Sequence, residues 1–251
     1  MFSTLIVNPL YNILILLVNF LTTDFGISVI VMTIVIRLFL FPLSKSQIQT
    51  QLKFKQVQEP LVELKKKYKD KPDVMAKKMM ELYKEYNIKP MAGFFLLLIQ
   101  FPILIGLYYV FLRSGLPKVN PDILYSFVSQ PEWINTRFIG LFELTNKSAL
   151  LAGLAGITQW VQLKLLMGEK DEKKETSKKP ANQMGDMMKN FQKQMTFIMP
   201  IMITFISYSF GSVIALYLLT SNIFSIGQEF YIRKTIKKPE EEKLDTQIQT
   251  P

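Results

Sequence analysis

Long apolar blocks alternate with charged blocks along this chain, and a charged tail follows the last apolar block. An apolar helix of about 20 residues crosses the roughly 30 Å hydrocarbon core of a bilayer. The pattern therefore predicts an all-α polytopic membrane protein, a five-helix transmembrane bundle with an N-terminal interfacial helix and a cytoplasmic helical hairpin. The predicted segments are an outer-leaflet amphipathic helix (1–24), the first span (25–43), a basic cytoplasmic hairpin (44–90), the second span (91–112), an external loop (113–147), the third span (148–167), a cytoplasmic loop (168–193), the fourth span (194–210), the fifth span (211–232) and a cytoplasmic tail (233–251).

The first apolar block differs from the others because its polar residues repeat at helical spacing. Thr4, Asn8, Asn12, Asn19 and Thr23 are four, four, seven and four residues apart, so they form one stripe of a helix. A helix that lies in the membrane interface needs such a stripe, whereas a spanning helix does not expose one to lipid. We therefore predict an amphipathic helix on the outer leaflet; the alternative is a sixth span.

Segment 44–90 has helical periodicity on both sides of the sequence "KDKPD". Pro72 cannot continue the first helix, and Asp73 is predicted to cap the second, which gives an antiparallel hairpin with a net charge of +6. The hairpin is either a docking arm for anionic partners or a solvated arm whose lysines only fix the topology. The candidate docking residues are Lys65, Lys66, Lys67, Met75 and Met79.

The distribution of basic residues predicts the orientation. Segment 44–90 carries twelve lysines, 168–190 carries six and the tail from 233 carries five Lys and Arg, whereas 1–24 carries none. The positive-inside rule places the basic segments in the cytoplasm, with the N-terminus outside and the C-terminus inside. The N-terminal block lacks the basic start and clear cleavage site of a secretory signal, so we expect it to be retained.

The chain contains no cysteine and no histidine. This composition excludes thiol nucleophiles and removes the commonest general base and metal ligand, and no P-loop motif is present. We therefore predict that the protein is not an enzyme and has no cofactor and no metal site.

Arg37 lies within the apolar run "VMTIVIRLFLFPL", where a charge costs at least about 2.5–3.5 kcal/mol at the centre of a membrane helix. Thr33 lies one turn before Arg37 on the same face, and a second polar stripe runs along one face of the predicted fifth span. These groups should face inward, because lipid leaves them unsatisfied. The candidate groove residues are Arg37, Thr33, Gln100, Gln159, Gln162, Tyr217, Ser221, Asn222, Ser225 and Gln228.

Other interpretations of these polar residues stay open. The long side chain of Arg37 can extend to the cytoplasmic headgroups. The amide of Gln100 or Asn222 can hydrogen-bond a neighbouring helix. Ser and Thr commonly bond back to their own helix. Because no Asp or Glu precedes Glu229 within the predicted spans, we expect Arg37 in a hydrated groove rather than a buried ion pair.

Several stretches resemble the YidC-type membrane protein insertases, the YidC/Oxa/Alb family. "FGISVIVMTIVIRLFLFPLSKSQ" is similar to the first core span of that family and "NIKPMAGFFLLLIQFPILIGLYYVF" to the second, whereas "MTFIMPIMITF" and "LYLLTSNIFSIGQEF" resemble the fourth and fifth. The resemblance covers about residues 10–235, and the predicted arrangement resembles the five-span minimal form of the family. The chain departs from the family pattern at Lys89, Phe94, Phe95 and Leu218, and it lacks the usual proline between spans four and five.

The resemblance implies a helical bundle around a hydrophilic groove that opens to cytoplasm and lipid. In the bacterial plasma membrane, such a groove would receive hydrophilic segments of nascent membrane proteins and release their hydrophobic helices into the bilayer. The resemblance also allows the ribosome, a translocon and anionic lipids as partners, and implies no small-molecule substrate. The alternative is a small channel or transporter, but the predicted spans carry no carboxylate before Glu229, near the end of the fifth span, and show no filter-like loop.

Overall fold

The structure, a computed structural model, describes residues 1–21, 24–68, 71–88, 92–113, 119–167 and 183–235. These residues are mostly helical and divide into two compact units. The first unit comprises Met1–Phe39 and Leu98–Ile226, and the second comprises Leu40–Leu97 and Gly227–Pro251.

Helices cover the apolar blocks and also the charged 44–90 segment, and the helix of the predicted fourth span begins earlier than predicted, at Gln183. The α-helices are α1 (Asn8–Phe20), α2 (Phe25–Phe39), α3 (Phe41–Gln56), α4 (Gln58–Lys67), α5 (Pro72–Glu85), α6 (Ala92–Arg113), α7 (Ala149–Met167), α8 (Gln183–Phe210) and α9 (Ser212–Thr235). A π-helical turn (Ser3–Val7) precedes α1, and a 3₁₀ turn (Pro121–Ile123) follows α6. The prediction of an all-α fold misses two short antiparallel strands, β1 (Arg137–Phe138) and β2 (Phe142–Glu143).

The apolar core of the first unit draws on α1, α2, α6, α7 and α9. Its fully buried side chains include Tyr11, Leu14, Ile15, Val29, Leu107, Ala155 and Ile214. The pairing of α7 with α8 is the most extensive contact between two helices in the described residues. Gly156 of α7 allows this approach, because the Thr204 hydroxyl of α8 occupies the space of a Cβ atom at this position and the Pro200 carbonyl oxygen lies 3.2 Å from it.

The predicted first span, 25–43, is not one continuous helix. The chain leaves the helix at Leu40, between α2 and α3. Pro42 explains the break, because its ring collides with the carbonyl of residue 38 and it has no N–H to donate. The 15 residues of α2 extend about 22 Å at 1.5 Å per residue, less than the bilayer core. Arg37 therefore lies in the last turn of a short helix rather than in the middle of a continuous one.

In the second unit, the predicted hairpin is built from three helices. Pro60 ends α3 early for the same reason that Pro42 ends α2, so the chain breaks again at buried Val57. Phe54 of α3 packs edge-on against Tyr83 of α5, with 5.3 Å between ring centroids. Burial also raises the pKa of the Tyr83 hydroxyl.

The predicted cap of the second hairpin helix is wrong. Lys71 occupies the N-cap position without a side-chain hydrogen bond, Pro72 is the first helical residue and Asp73 lies in the first turn. Proline suits this position because its missing N–H would have no helical partner there. Residues 69 and 70 of the predicted turn lie outside the described residues.

The polar stripe of α1 contacts protein backbone rather than only water or headgroups. Asn12 is 2% exposed; its amide nitrogen donates to the Ile123 carbonyl at 2.9 Å, and its oxygen accepts from the Tyr125 N–H at 2.7 Å. Asn19 donates to the Ser129 carbonyl at 2.6 Å, whereas Thr23 lies outside the described residues. The stripe therefore does not require an interfacial helix, and the placement of α1 on the outer leaflet stays a prediction.

Asp24 joins the start of α2 to the strand pair. One carboxylate oxygen accepts from the N–H groups of Gly26 (2.8 Å) and Ile27 (3.2 Å), and the other accepts from the Ile139 N–H at 2.9 Å. The Phe25 N–H also donates to the Asn135 carbonyl at 3.0 Å. The carboxylate thus caps a helix and fastens the 135–143 segment to it.

Asp24→Ala should release this segment, because it removes both sides of the carboxylate bridge. The loss of an N-cap alone costs about 0.5–2 kcal/mol. Limited trypsin digestion in detergent should show faster cleavage after Arg137, an exposed residue of β1. Asp122→Ala, at an exposed acid in the neighbouring 3₁₀ turn, is the matched control and should leave the cleavage rate unchanged. Equal rates for Asp24→Ala and the unsubstituted chain would contradict this role for Asp24.

Candidate functional site around Arg37

Arg37 occupies the last turn of α2 and is buried, with 7% of its surface exposed. A cation is favoured at this end of a helix because the terminal carbonyls carry a partial negative charge. Its guanidinium also donates to α9: Nε lies 2.7 Å from the Ser221 hydroxyl oxygen, and an Nη group bonds the same oxygen. The site therefore rests on a contact between α2 and α9 within the first unit.

Of the residues one helical turn from this pair, Thr33 and Tyr217 are buried as well, and Ser225 is half-buried. Thr33 lies one turn before Arg37, and its hydroxyl donates to the Val29 carbonyl of its own helix at 2.7 Å. Tyr217 lies one turn before Ser221, and Ser225 lies one turn after it with its hydroxyl bonded to the Ser221 carbonyl at 2.8 Å. The two predicted stripes thus meet at Arg37 and Ser221, although the hydroxyls of Thr33 and Ser225 bond back to their own helices.

Asn222 does not point its amide at Arg37. Its nitrogen donates to the Ala155 carbonyl of α7 at 3.1 Å and to the Thr158 hydroxyl at 3.3 Å. This is the helix-tying arrangement that the sequence left open for Asn222. The side chain connects α9 to α7 and thereby holds Ser221 in place.

The other predicted groove residues are more dispersed. Gln159 and Gln162 are half-buried on α7. Gln228 is buried but belongs to the second unit, and the side chain of Gln100 lies outside the described part of the structure. Of the ten residues, the structure brings Arg37 and Ser221 into direct contact.

Several buried polar side chains lie outside the predicted set of groove residues, among them Ser207 and Glu229. Ser207 of α8 is buried, and within the described residues its hydroxyl has no hydrogen-bond partner. Glu229 of α9 is 2% exposed and forms an ion pair with Arg233, with 2.6 Å between Oε1 and Nη2. The spacing of four residues between Glu229 and Arg233 was a visible signal for this pair, whereas a lone serine in an apolar helix gives none.

These helices define the class of protein. Three are long and apolar enough to cross a membrane, Ser3–Phe20, Ala149–Leu166 and Ser212–Thr235, and α2 with α3 would make a fourth as one broken span. Phe101–Phe111 and Thr196–Phe210 are shorter apolar helices. The described residues are those of a helical multi-pass membrane protein with three to four candidate spans, so the predicted arrangement of five spans is not confirmed.

Comparison with known proteins then identifies the family. The family model described as "60Kd inner membrane protein" matches residues 16–240. The membrane protein insertase YidC of Clostridium tetani is 30% identical over 237 residues, which are 94% of this chain and 88% of the relative. The proteins of the same name from Janthinobacterium sp. (32% identical) and Francisella tularensis subsp. novicida (31%) match 92% and 86% of this chain but 37% and 34% of their own lengths. This chain belongs to the YidC/Oxa/Alb family of membrane protein insertases.

The family membership confirms the resemblance that the span sequences indicated and the prediction that the protein is not an enzyme. It also confirms a multi-pass membrane protein, whereas the orientation of the spans and the roles of the site residues stay predictions. The chain spans most of the Clostridium relative and about a third of the other two.

Proposed function

We propose that this chain acts as an insertase at the Arg37 site, where polar segments of nascent membrane proteins enter before their hydrophobic helices pass into lipid. The observation that carries the proposal is the position of Arg37, a cation buried at the end of a short helix that contributes to the apolar core of the first unit. A charge in such a place is expensive and usually functional.

The partners of the guanidinium suit this role. The Ser221 hydroxyl accepts two of its N–H groups but is neutral, so this bond leaves the positive charge in place. Acidic and polar side chains of a passenger segment would find there a charge to pair with and hydroxyl groups to bond with. The electrostatic cost of moving that segment across the membrane would fall accordingly.

The basic segments support an orientation with the hairpin in the cytoplasm, the N-terminus outside and the C-terminus inside the bacterial plasma membrane. In this orientation the end of α2 that carries Arg37 lies toward the cytoplasm, where a nascent chain arrives. The ribosome and a translocon would act from the same side.

The hairpin is a candidate docking arm in the same proposal. Lys66 and Lys67 of α4 are exposed, whereas Met75 and Met79 of α5 are half-buried beside exposed Met80. The side chain of Lys65 lies outside the described part of the structure. Exposed lysines together with adaptable methionines suit a membrane surface of anionic headgroups. Each basic residue near such a membrane contributes about 1 kcal/mol to the free energy of binding.

Reconstitution tests the function directly. The purified full chain in liposomes, without another protein, should insert a short single-span passenger synthesised in vitro. Protease protection of the translocated passenger end measures the insertion, and protein-free liposomes of the same lipid are the control. Protection no higher than the protein-free level would contradict the proposal.

Replacement of both Lys66 and Lys67 by glutamine should weaken the binding of anionic vesicles to the chain when it is held in neutral nanodiscs. The expected loss is roughly tenfold or more for two lysines, and it should shrink as salt screens the attraction. Lys66→Arg with Lys67→Arg keeps the charge and should retain capture. Unchanged capture at low salt would show that these lysines only set the topology.

A further inference from the structure

A groove lies between α1 and the 119–129 segment, within the first unit but formed by other residues than the Arg37 site. Its volume is about 220 Å³. The lining residues are Pro9, Asn12, Ile13, Leu16, Leu17, Tyr125 and Phe127.

Hydrogen bonds hold the two walls of the groove at a fixed distance. Tyr11, one residue before Asn12, accepts from the Asn120 N–H through its hydroxyl at 2.8 Å. Asn12 bonds the backbone of both Ile123 and Tyr125, and Asn19 bonds Ser129 farther along α1. The 119–129 segment is therefore fastened to α1 at three levels, so the groove is part of the fold rather than a gap between loose parts.

The groove offers a ligand mainly apolar contacts. Asn12 is its one amide side chain, and both ends of that amide are already occupied by the segment backbone. A water molecule needs two to four polar partners to reside in a cavity, which this lining does not supply. The Tyr125 and Phe127 rings, 5.5 Å apart, present an aromatic wall opposite the aliphatic residues of α1.

The surroundings of α1 indicate which apolar ligand reaches the groove. The stretch Ser3–Phe20 is apolar enough to span a membrane, and the chain belongs to a family of multi-pass membrane proteins. Ile13 lines the groove and is 46% exposed, and Phe20 on the same helix is 79% exposed. The groove is therefore continuous with an exposed apolar surface of α1, which would face lipid whether α1 spans the bilayer or lies at its interface.

We propose that the groove between α1 and the 119–129 segment is a binding site for one lipid acyl chain. The chain packs between Ile13, Leu16 and Phe127 and gains dispersion contacts from both walls of the groove. The site differs from the exposed apolar face of α8, which includes Ile201 and Phe205, because that surface is a helix face whereas this one has two walls.

Photo-cross-linking with a lipid tests the site in the intact protein. The purified chain is placed in phosphatidylcholine liposomes that contain a small share of phosphatidylcholine with a diazirine on its acyl chain. Mass spectrometry then compares labelling of the groove residues with labelling of Phe205 and Ile201, exposed residues of α8 outside the groove. We expect the groove residues to be labelled more strongly than this reference face.

Filling the groove separates a specific site from general contact with lipid. Ile13→Trp should lower groove labelling to the level of the reference face, whereas Ile13→Leu should preserve it because the volume is kept. Ile157→Trp, on an exposed part of α7, is the matched control and should change neither signal. Leu17→Phe replaces Ile13→Trp if that variant does not fold.

Three results would overturn the proposal. The first two are groove labelling no stronger than that of α8 and strong labelling that survives filling. The third is a disulfide-linked dimer on oxidation of the Ile13→Cys variant of this cysteine-free chain, which would show that a second copy covers the groove. None of these results depends on insertase activity, so the test is independent of the Arg37 site.

Discussion

Gly156→Leu is expected to unfold the α7–α8 pair in detergent, with a large fall in the melting temperature. A Cβ at this position would lie 3.2 Å from both the Pro200 carbonyl oxygen and the Thr204 Cβ, and still closer to the Thr204 hydroxyl oxygen. The Pro200 carbonyl belongs to the helix backbone and moves only if the helix moves. Overpacking of this kind typically costs about 1–3 kcal/mol, and the three further carbons of leucine extend the clash.

Gly153 provides a matched control on the same helix, because a Cβ there meets no atom within 4 Å. Gly153→Ala should stabilise the protein slightly, since alanine is favoured over glycine in a helix by about 1 kcal/mol. Gly156→Ala should destabilise it despite the same gain, and Thr204→Ala should recover part of the loss by removing the nearest atom. Equal melting temperatures for Gly153→Ala and Gly156→Ala would show that the two helices separate at little cost.

Much of the helical architecture could be predicted from the chain because lipid demands long apolar runs. The predicted segments 91–112, 148–167 and 211–232 correspond to α6, α7 and α9 within a few residues. The breaks at Leu40 and Val57 also had a signal in the sequence. Pro42 and Pro60 follow them by two and three residues, and a proline disrupts the helical turn that precedes it. At the junction of α8 and α9, Gly211 makes the turn with a φ of +99°.

The lateral contacts could not be predicted from one sequence. Helical spacing places Thr33 with Arg37 and Tyr217 with Ser221, but it does not say that two stripes 184 residues apart meet. The stripe of α1 shows the same limit. Asn12 and Asn19 satisfy backbone groups more than 100 residues away, and a periodic polar pattern looks identical whether it faces headgroups or another segment.

Arg37→Glu is expected to impair insertion of an acidic passenger about tenfold more than insertion of a neutral passenger that is otherwise identical. Repulsion between the new carboxylate and the acidic segment replaces attraction, and a tenfold change corresponds to about 1.4 kcal/mol. Arg37→Lys keeps the charge and should retain most activity, whereas Arg37→Ala should lie between lysine and glutamate for the acidic passenger. A basic residue added to that passenger should partly restore its insertion by Arg37→Glu.

Ser221→Ala separates charge from packing, because it removes the hydroxyl that accepts the guanidinium and leaves the cation in place. If the charge is what the passenger encounters, Ser221→Ala should affect both passengers equally and mildly, whereas Arg37→Glu distinguishes them. The measurement is protease protection of each passenger in the reconstituted liposomes, with the melting temperature of every variant recorded beside it. A loss under Arg37→Glu that is equal for both passengers and follows the melting temperature would assign Arg37 a folding role. The electrostatic mechanism would then have to be withdrawn, because an attraction that ignores the passenger's charge does not act on the passenger.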